Sequence, residues 1–139
     1  MAGGRHYAEL EWVAGRIAVF LGVAVARWLD LEQVGYKQAG FWGVNSGDGD
    51  LGHQGRLTNW AEMQRFKTGD TIGLLLDCGA GSLTVFKNGT RLGEAVAAGA
   101  HGLRAAAADV ATHGGLCWCA DLGGASSVRV ARQPVPVDA

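Results

Sequence analysis

The sequence contains few prolines, few cysteines and no long apolar run. Its two prolines lie near the C-terminal end, so the residue that most often interrupts strands and helices is absent from the rest of the chain. The cysteines are Cys78, Cys117 and Cys119, and an odd number argues against a disulfide framework. The longest apolar stretch, residues 17–26, is too short for a membrane-spanning helix, which needs about 20 residues. We therefore expect an intracellular protein, cytoplasmic or nuclear.

An excess of charge of one sign is also lacking. The 12 lysines and arginines nearly balance the 13 aspartates and glutamates, which gives a formal net charge of −1. Proteins that bind nucleic acid or anionic membranes usually carry a basic surface. The first ten residues, MAGGRHYAEL, are polar where a secretory leader would have an apolar core. We expect neither a nucleic-acid partner nor a membrane partner.

Glycine and apolar residues, in contrast, are abundant. The chain has 139 residues, of which 48% are hydrophobic, and it contains 23 glycines. This length fits one domain with a substantial buried core. The glycines show no triplet repeat, so they indicate many turns rather than collagen. The composition therefore predicts a folded, turn-rich domain.

Residues 66–93, FKTGDTIGLLLDCGAGSLTVFKNGTRLG, carry the clearest pattern in the chain. Residues 72–76 form a short apolar run between glycine-containing turns, which favours a buried strand over a helix. Residues 82–87 then alternate between two faces, as a strand requires. Asn88-Gly89 follows, and this pair favours the type I′ turn of a β-hairpin. The stretch predicts two strands and the start of a third.

The residues before this stretch predict further strands and one long loop. Residues 6–13 alternate in polarity, which predicts a half-buried strand whose wet face includes Tyr7. Residues 17–26 are apolar on both faces, which predicts a central strand. Residues 35–43 predict an aromatic strand, and residues 45–55, NSGDGDLGHQG, predict a loop.

The remaining segments are expected to complete the domain. Residues 56–63 are expected to approach the core again through Leu57 and Trp60. Residues 94–115 predict an irregular excursion over the surface, with a brief helix within alanine-rich residues 103–111. Two closing strands follow, at residues 116–122 and 128–131.

The glycine-rich loop resembles two binding motifs but lacks the groups that each needs. Residues 47–52 match the string GxGxxG, but no helix follows, and Asp48 and Asp50 would repel a phosphate. The same acids could bind calcium, but position twelve of an EF-type loop would be Asn59 rather than Glu. A solvated turn is the favoured interpretation, and a looser calcium site built with backbone carbonyls stays open.

The cysteines raise the question of a zinc site. Cys117 and Cys119 lie on one face of a predicted strand, whereas zinc usually needs four ligands. Cys78 and His113 are the further candidates, so such a site stays open. Packing in the core is favoured, because free cysteine is among the most buried residue types. We expect no metal and no cofactor.

No catalytic constellation is evident in the sequence. No serine lies in a G-x-S-x-G elbow, and no cysteine has a motif that announces a partnered histidine. Glu9 and Glu11 lie on the expected wet face of a strand, where solvation is a simpler interpretation than a glycosidase pair. We expect no catalytic residue. An enzyme is the third hypothesis, which a cluster of His53, Asp48 and a serine in one deep pocket would revive.

Five tryptophans is a high number for a chain of this length. Trp12, Trp42 and Trp118 lie on or beside predicted strands, so core packing is favoured for them. Trp28 and Trp60 lie in or near connections, where aromatics flanked by polar groups are typical of peptide-binding surfaces. For these two, core and surface positions are equally open.

The central stretch resembles the core signature of SPRY domains, which runs through Gly-Asp, Ile-Gly, Leu-Asp, a glycine turn, a strand ending in Phe, Asn-Gly and Leu-Gly. The matching residues stand at fixed spacing and are Gly69, Asp70, Ile72, Gly73, Leu76, Asp77, Gly81, Leu83, Phe86, Asn88, Gly89, Leu92 and Gly93. The resemblance covers residues 6–132, with short terminal tails at 1–5 and 133–139. It implies an all-β fold in which two antiparallel sheets form a concanavalin-like or jelly-roll-like sandwich.

The resemblance also implies non-catalytic protein recognition, because SPRY domains present loops at one side of the sandwich to a peptide segment or a partner domain. They usually belong to larger multidomain proteins or complexes, which is expected here too. Rigid strands that hold variable loops suit this role. The surface is expected at the turn 14–16, the connection 27–36 and the loop 45–60. Its expected contact residues are Arg16, Arg27, Trp28, Tyr36, Asp48, Asp50, His53, Arg56 and Trp60.

A carbohydrate-binding module is the alternative function. Lectins share the sandwich architecture and stack sugars on exposed tryptophans, although they usually need secretion or calcium, and neither is indicated. A purely structural module within a larger chain is also open. Some peptide-binding SPRY domains place an aromatic residue near the position of Gly123-Gly124, which this chain lacks, so their particular specificity is not expected.

Overall fold

The computed structural model shows two antiparallel sheets. It describes residues 3–15, 19–28, 35–109, 115–122 and 127–136. The strands are β1 (Arg5–Ala14), β2 (Val19–Ala24), β3 (Phe41–Asn45), β4 (Leu51–His53), β5 (Arg56–Thr58), β6 (Thr71–Asp77), β7 (Ser82–Lys87), β8 (Thr90–Val96), β9 (Cys117–Leu122) and β10 (Ser127–Gln133). The helical segments are α1 (Leu103–Ala108) and the 3₁₀ helices Ala26–Trp28 and Gly35–Lys37.

Each sheet has five strands, and the two sheets bury one shared core. The strand order is β10-β1-β6-β7-β8 in one sheet and β5-β4-β3-β2-β9 in the other. The predicted hairpin is confirmed, because β6 pairs with β7 and β7 pairs with β8 across the turn at Asn88-Gly89. The prediction of a central strand is also confirmed, because β2 lies between β3 and β9.

The alternation in β1 and β6 places apolar side chains on the inner face of their sheet. Leu10 and Leu74 are fully buried in the core, as the pattern predicted. Tyr7, which was expected on a wet face, is buried instead. Its ring meets the Phe86 ring edge to face, with centroids 5.4 Å apart, and packs with Leu75 in a small cluster on the outer face. This sheet therefore buries part of both faces.

Two paired glycines shape the other sheet. Gly22 on β2 lies opposite Gly43 on β3. A Cβ at Gly22 would overlap the backbone of Trp42, and one at Gly43 would overlap the ring of Phe41. Because Gly43 has no Cβ, the Phe41 ring packs across it, is fully buried on the outer face and meets Phe20 edge to face. Gly22 thus allows the backbone of β3 to approach closely, and Gly43 lets an aromatic ring cover the sheet.

Several predicted elements differ in extent from the observed ones. The predicted aromatic strand at 35–43 begins only at Phe41, because residues 35–40 form a 3₁₀ helix and a turn. The predicted loop at 45–55 contains β4, which pairs with β3 and β5. The return to the core after this loop comes through Trp60, whereas the side chain of Leu57 is 50% exposed.

The alanine-rich segment forms α1, so the predicted brief helix is confirmed. The helix buries Leu103, Ala106 and Ala107 against the core, and it therefore closes the sandwich rather than crossing its surface. Both closing strands are confirmed as β9 and β10, which pair with β2 and β1. Within the ranges that the structure describes, no helix has the length and apolar character that crossing a membrane requires.

Candidate functional site

A cleft at one end of the sandwich gathers three of the predicted contact residues. We call it the aromatic cleft, and its volume is about 940 Å³. It lies between the 3₁₀ helix Ala26–Trp28, the turn that joins β4 to β5, and α1. The side chains that define it are Trp28, Trp42, His53, Arg56, His101 and Asp109. Strand pairing and α1 bring them together from four separate parts of the chain.

A stacked pair of rings forms the wall of the aromatic cleft. The rings of Trp42 and His53 lie 4.7 Å apart between centroids, at 12° to each other. Trp42 Nε1 donates a hydrogen bond of 2.9 Å to the carbonyl of His101. The wall is thereby joined to the turn before α1, and the His101 ring lies 6.2 Å from the His53 ring. Stacking and hydrogen bonding hold these rings in one arrangement.

His53 is held as a neutral side chain. Its Nδ1 lies 2.9 Å from the carbonyl oxygen of Phe41, which can only accept, so Nδ1 carries the hydrogen. Burial lowers the pKa of His53, the charge of nearby His101 lowers it further, and the bond to Phe41 offsets only part of this. At neutral pH, Nε2 is therefore the ring atom that can accept a hydrogen bond.

The turn Gln54-Gly55 places His53 and Arg56 on either side of a two-residue hairpin. Both turn residues have positive φ, at 53° and 79°, as a type I′ turn requires. Nothing lies within 4 Å of a Cβ built at Gly55, so the turn projects into open space. His53 and Arg56 are register partners in β4 and β5. The exposed Arg56 side chain is thus carried beside the aromatic wall.

Trp28 stands at the mouth of this cleft with 48% of its side chain exposed. Its backbone amide donates to the carbonyl of Val25, which is the hydrogen bond that closes this 3₁₀ turn. A Cβ at Gly40 would lie 3.0 Å from the Cβ of Trp28, so this close approach requires a small residue there. Arg27 is exposed next to it. The ring of Trp28 is therefore presented from a closely packed backbone.

Asp48, Asp50 and Trp60 form a second group, which supports the turn after β3. Trp60 is half-buried, packs against the core, and donates from Nε1 to the carbonyl of Gly49 at 2.7 Å. Asp48 is exposed, and its Oδ1 accepts the backbone amide of Asp50 at 3.0 Å. Asp50 is buried rather than exposed, with 5% of its surface accessible. Asp50 and Trp60 are therefore in contact with other parts of the protein rather than projecting into solvent.

Asp50 occupies an unfavourable position for a charged group. Burial and the neighbouring Asp48 carboxylate raise the pKa of Asp50 to about 6. Hydrogen bonds from Asp50 lower the pKa of Asp48 in turn. Within the part of the chain described, Asp50 Oδ1 has no hydrogen-bond partner. The carboxyl group of Asp50 therefore keeps its proton to a higher pH than that of Asp48 does.

Two of the predicted contact residues are not placed by the structure. Arg16 lies outside the described residues, and so does the side chain of Tyr36, although its backbone belongs to the second 3₁₀ helix. Of the other seven, the aromatic cleft contains Trp28, His53 and Arg56 among its lining residues. The predicted surface is thus divided between the cleft and the turn after β3.

Sequence reasoning missed Trp42, His101 and Asp109 as parts of the cleft. Trp42 was assigned to the core, and it is buried as predicted, but one ring face stacks on His53. The sequence signal for this pairing is weak, because β4 has only three residues and lies within the segment predicted as a loop. His101 and Asp109 flank α1, whose docking position follows from packing and not from a local motif.

Packing in the core was expected for all three cysteines, but only one of them is buried. Cys78 is buried, but Cys117 is exposed and its Sγ donates to the carbonyl of Ala24 at 3.4 Å. Cys119 is half-buried, and burial raises the pKa of its thiol to about 11. His113 lies outside the described residues. Within the described ranges, no three His, Cys, Asp or Glu side chains are grouped closely enough to hold a metal ion.

Comparison with known proteins places this sandwich in a defined structural class. No family model matches the sequence, and no curated protein matches it significantly. The fold is similar to the crystal structure of the SPRY domain of human HERC1, with a TM-score of 0.72 and 19% sequence identity. The similarity covers 98% of this chain and 79% of that chain.

The chain is therefore an all-β sandwich of two five-stranded antiparallel sheets, and this sandwich has the SPRY fold. The resemblance that the central hairpin indicated in the sequence is confirmed by the similarity of the whole fold. A similarity at 19% identity establishes the fold alone, so a functional conclusion must rest on the residues of the aromatic cleft.

Proposed function

We propose that the chain is a non-catalytic protein-recognition module that binds a peptide segment or a partner domain at the aromatic cleft. The SPRY fold supports an interaction role, and the cleft supplies the physical basis. The observation that carries the proposal is the position of Trp28, which is 48% exposed at the mouth of a preformed cleft. A large exposed aromatic in such a position is typical of a binding hot spot.

The chemistry of the cleft suits a peptide ligand. The stacked wall of Trp42 and His53 is rigid and mostly apolar, so a ligand side chain can be buried there without reordering the protein. Arg56 and Asp109 carry opposite charges at the rim and can orient polar backbone groups. Nε2 of neutral His53 adds one acceptor. Apolar surface with a few fixed polar groups is the usual composition of such sites.

The wider context of this function follows from the same proposal. A partner protein or peptide is expected in the cytoplasm or nucleus, and the domain is expected to act within a larger multidomain protein or complex. Arg27 would extend the contact beyond the cleft, because it is exposed beside Trp28. Asp50 and Trp60 would act on binding only through the turn they support. No catalytic residue is included in this proposal.

The test begins with peptides selected from a displayed random library on the wild-type chain. Their dissociation constants are then measured for the wild type and for Trp28→Ala by calorimetry. Loss of a hot-spot tryptophan should weaken binding at least about 30-fold, because such residues contribute about 2 kcal/mol or more. Val130→Ala is the matched control, since Val130 is a similarly exposed apolar residue on β10.

Each outcome of this test has a defined meaning. Equal peptide affinities for Trp28→Ala and the wild type, with both proteins folded, would remove the aromatic cleft from the proposal. A glycan array gives the second comparison. Glycans retained by the wild type and lost with Trp28→Ala, without any selected peptide, would favour the carbohydrate-binding alternative, because an exposed tryptophan can also stack on a sugar ring.

A further inference from the structure

A second cleft lies at the opposite end of β3 from the aromatic cleft. We call it the cationic cleft. Its walls come from the end of β1, the turn after β3, the connection before β6 and the turn after β7. Its volume is about 940 Å³, which is much larger than a single small ion requires. None of its described lining residues is shared with the aromatic cleft.

The floor of the cationic cleft is apolar and fixed. Trp12 and Phe66 line it, each with 5% of its surface exposed. Their rings meet edge to face with centroids 6.2 Å apart. Trp12 Nε1 donates to the carbonyl of Ala14 at 2.9 Å, so the indole N–H is already satisfied. The small exposed part of these two residues offers an apolar contact that requires no rearrangement.

One wall is a network around the buried carboxylate of Asp70. Its Oδ2 accepts the backbone amide of Lys67 at 2.9 Å, and its Oδ1 accepts Asn88 Nδ2 at 3.0 Å. Asn88 Oδ1 in turn accepts the backbone amide of Thr71. Burial alone would raise the pKa of Asp70, but these hydrogen bonds and the charges of Lys87 and Lys67 together lower it. Asp70 is therefore ionised and engaged within the protein.

Three cationic side chains remain at the rim. Arg65 and Lys67 are exposed, and Lys87 Nζ donates to the backbone carbonyl of Arg65 at 2.9 Å. The ion pairs observed between described residues lie elsewhere, at Arg5 and at Arg129. Three positive charges against the single negative charge of Asp70 leave an excess of two at the cleft. This local excess contrasts with the net charge of −1 for the whole chain.

We propose that the cationic cleft binds an acidic segment of a partner protein. Carboxylates of the segment would lie at Arg65, Lys67 and Lys87, and an apolar side chain between them would contact the floor at Trp12 and Phe66. Charge complementarity selects this occupant, because a basic segment would be repelled and a neutral one would leave the rim cations uncompensated. This site is independent of the function proposed for the aromatic cleft.

The test uses a short fluorescein-labelled peptide of glutamates with a central leucine, and the same peptide with glutamine in place of glutamate. Fluorescence anisotropy should detect binding of the acidic peptide alone, and the affinity should fall as salt rises from about 0.05 to about 0.5 M, because screening shortens the reach of exposed charges. The double variant Arg65→Gln/Lys67→Gln should bind about tenfold more weakly.

The control is Arg104→Gln/Arg132→Gln, which makes the same change in net charge, from −1 to −3, at exposed positions away from this cleft. It should bind the acidic peptide within about twofold of the wild type. Equal losses in both double variants would indicate attraction to overall charge and would overturn the proposal. Full displacement of the peptide by inorganic phosphate at equal ionic strength would also overturn it, in favour of an isolated anion site.

Nuclear magnetic resonance locates the peptide and separates the two clefts. The indole N–H signals can be assigned by single Trp→Phe substitutions. The acidic peptide should shift the signal of Trp12, which lines the cationic cleft, and should leave that of Trp28 unchanged. A shift at Trp28 without one at Trp12 would place the acidic peptide in the aromatic cleft and overturn this assignment.

Discussion

The two clefts differ in where their residues come from and in the forces that hold them. The aromatic cleft joins Trp28, His53 and Asp109, which are brought together by pairing in one sheet and by docking of α1. Most of the cationic cleft comes from residues 65–70 and the turn after β7. One of its walls is a hydrogen-bond network centred on Asp70.

This difference determines how each cleft should respond to change. Ring stacking and apolar burial depend on the packing of the whole sandwich, so the aromatic cleft should be lost only together with much of the stability. Hydrogen bonds to a carboxylate depend on its ionisation, so the cationic cleft should respond to acid. The predictions that follow test this contrast, from the largest expected effect to the smallest.

Trp42→Ala should have the largest effect on stability. Trp42 is 2% exposed, stacks on His53 and donates to the carbonyl of His101. Removing its side chain leaves a cavity and an unpaired carbonyl, so the free energy of unfolding should fall by about 3 to 5 kcal/mol. Urea denaturation followed by circular dichroism measures this loss. Trp28→Ala, at an exposed position in the same cleft, should cost less than about 1 kcal/mol.

A loss below about 1 kcal/mol for Trp42→Ala would contradict the view that the aromatic cleft depends on core packing. The acidic peptide supplies a second comparison under conditions where the variant is folded. Because Trp42 does not line the cationic cleft, the affinity for that peptide should be unchanged. A parallel loss at both clefts would mean that the two sites are coupled.

Asp70→Ala, in the wall of the cationic cleft, should lower the free energy of unfolding by an intermediate amount. The substitution leaves the backbone amide of Lys67 and Nδ2 of Asn88 without their acceptor, which should cost about 2 kcal/mol at pH 7. The native pKa of Asp70 lies below 3.8, so this contribution is present above pH 3.8. It should disappear as the pH falls through the native pKa. Urea midpoints across the acid range measure it.

The control for this prediction is Asp109→Ala in the aromatic cleft. Asp109 is exposed, and a surface substitution of this kind should change the free energy of unfolding by less than about 0.5 kcal/mol. If Asp70→Ala lost no more stability than Asp109→Ala at pH 7, the network around Asp70 would not be what holds the cationic cleft.

Asp50→Asn should have the smallest effect on the free energy of unfolding, and it should raise this free energy rather than lower it. The native pKa of Asp50 is raised from 3.8 to about 6, so wild-type stability should fall as the pH rises from about 4 to about 6. The asparagine variant lacks this loss and should be more stable than the wild type by about 1 to 2 kcal/mol above pH 6. The difference in urea midpoint between the two proteins, measured from pH 4 to 8, reports the effect.

Asp48→Asn serves as the comparison for the Asp50 prediction. Asp48 is exposed and its pKa is lowered, so its removal should not stabilise the protein as that of Asp50 does. Equal gains from the two variants above pH 6 would indicate simple relief of charge repulsion. In that case the burial of Asp50 would not be the cause of its raised pKa.

The parts of the fold that were predictable from sequence are those with strong local periodicity. The hairpin around Asn88-Gly89 and the central position of β2 were both evident from turn chemistry and apolar patterning. The short strand β4 was not, because three residues are too few to show a period. The prediction that Tyr7 lies on a wet face was wrong, because alternation does not reveal what covers the outer face of a sheet.

The candidate sites were predictable only in part. Trp28, His53 and Arg56 were chosen for their residue types and loop positions, and the structure brings them to one cleft. Asp50 was chosen by the same reasoning and is buried. Residue type and loop position alone could not separate these cases, because the burial of Asp50 depends on how the turn after β3 packs against its surroundings.

The sequence by itself determined the strand pattern, the hairpin turn and the resemblance to SPRY domains, because these depend on residues near one another in the chain. Only the tertiary structure decided that His53 stacks on Trp42, that α1 closes the core, and that Arg65, Lys67 and Lys87 share a cleft. Such contacts depend on how separate segments of the chain pack together. They arise from competition among side chains for space and hydrogen bonds in the assembled sandwich, which no local pattern records.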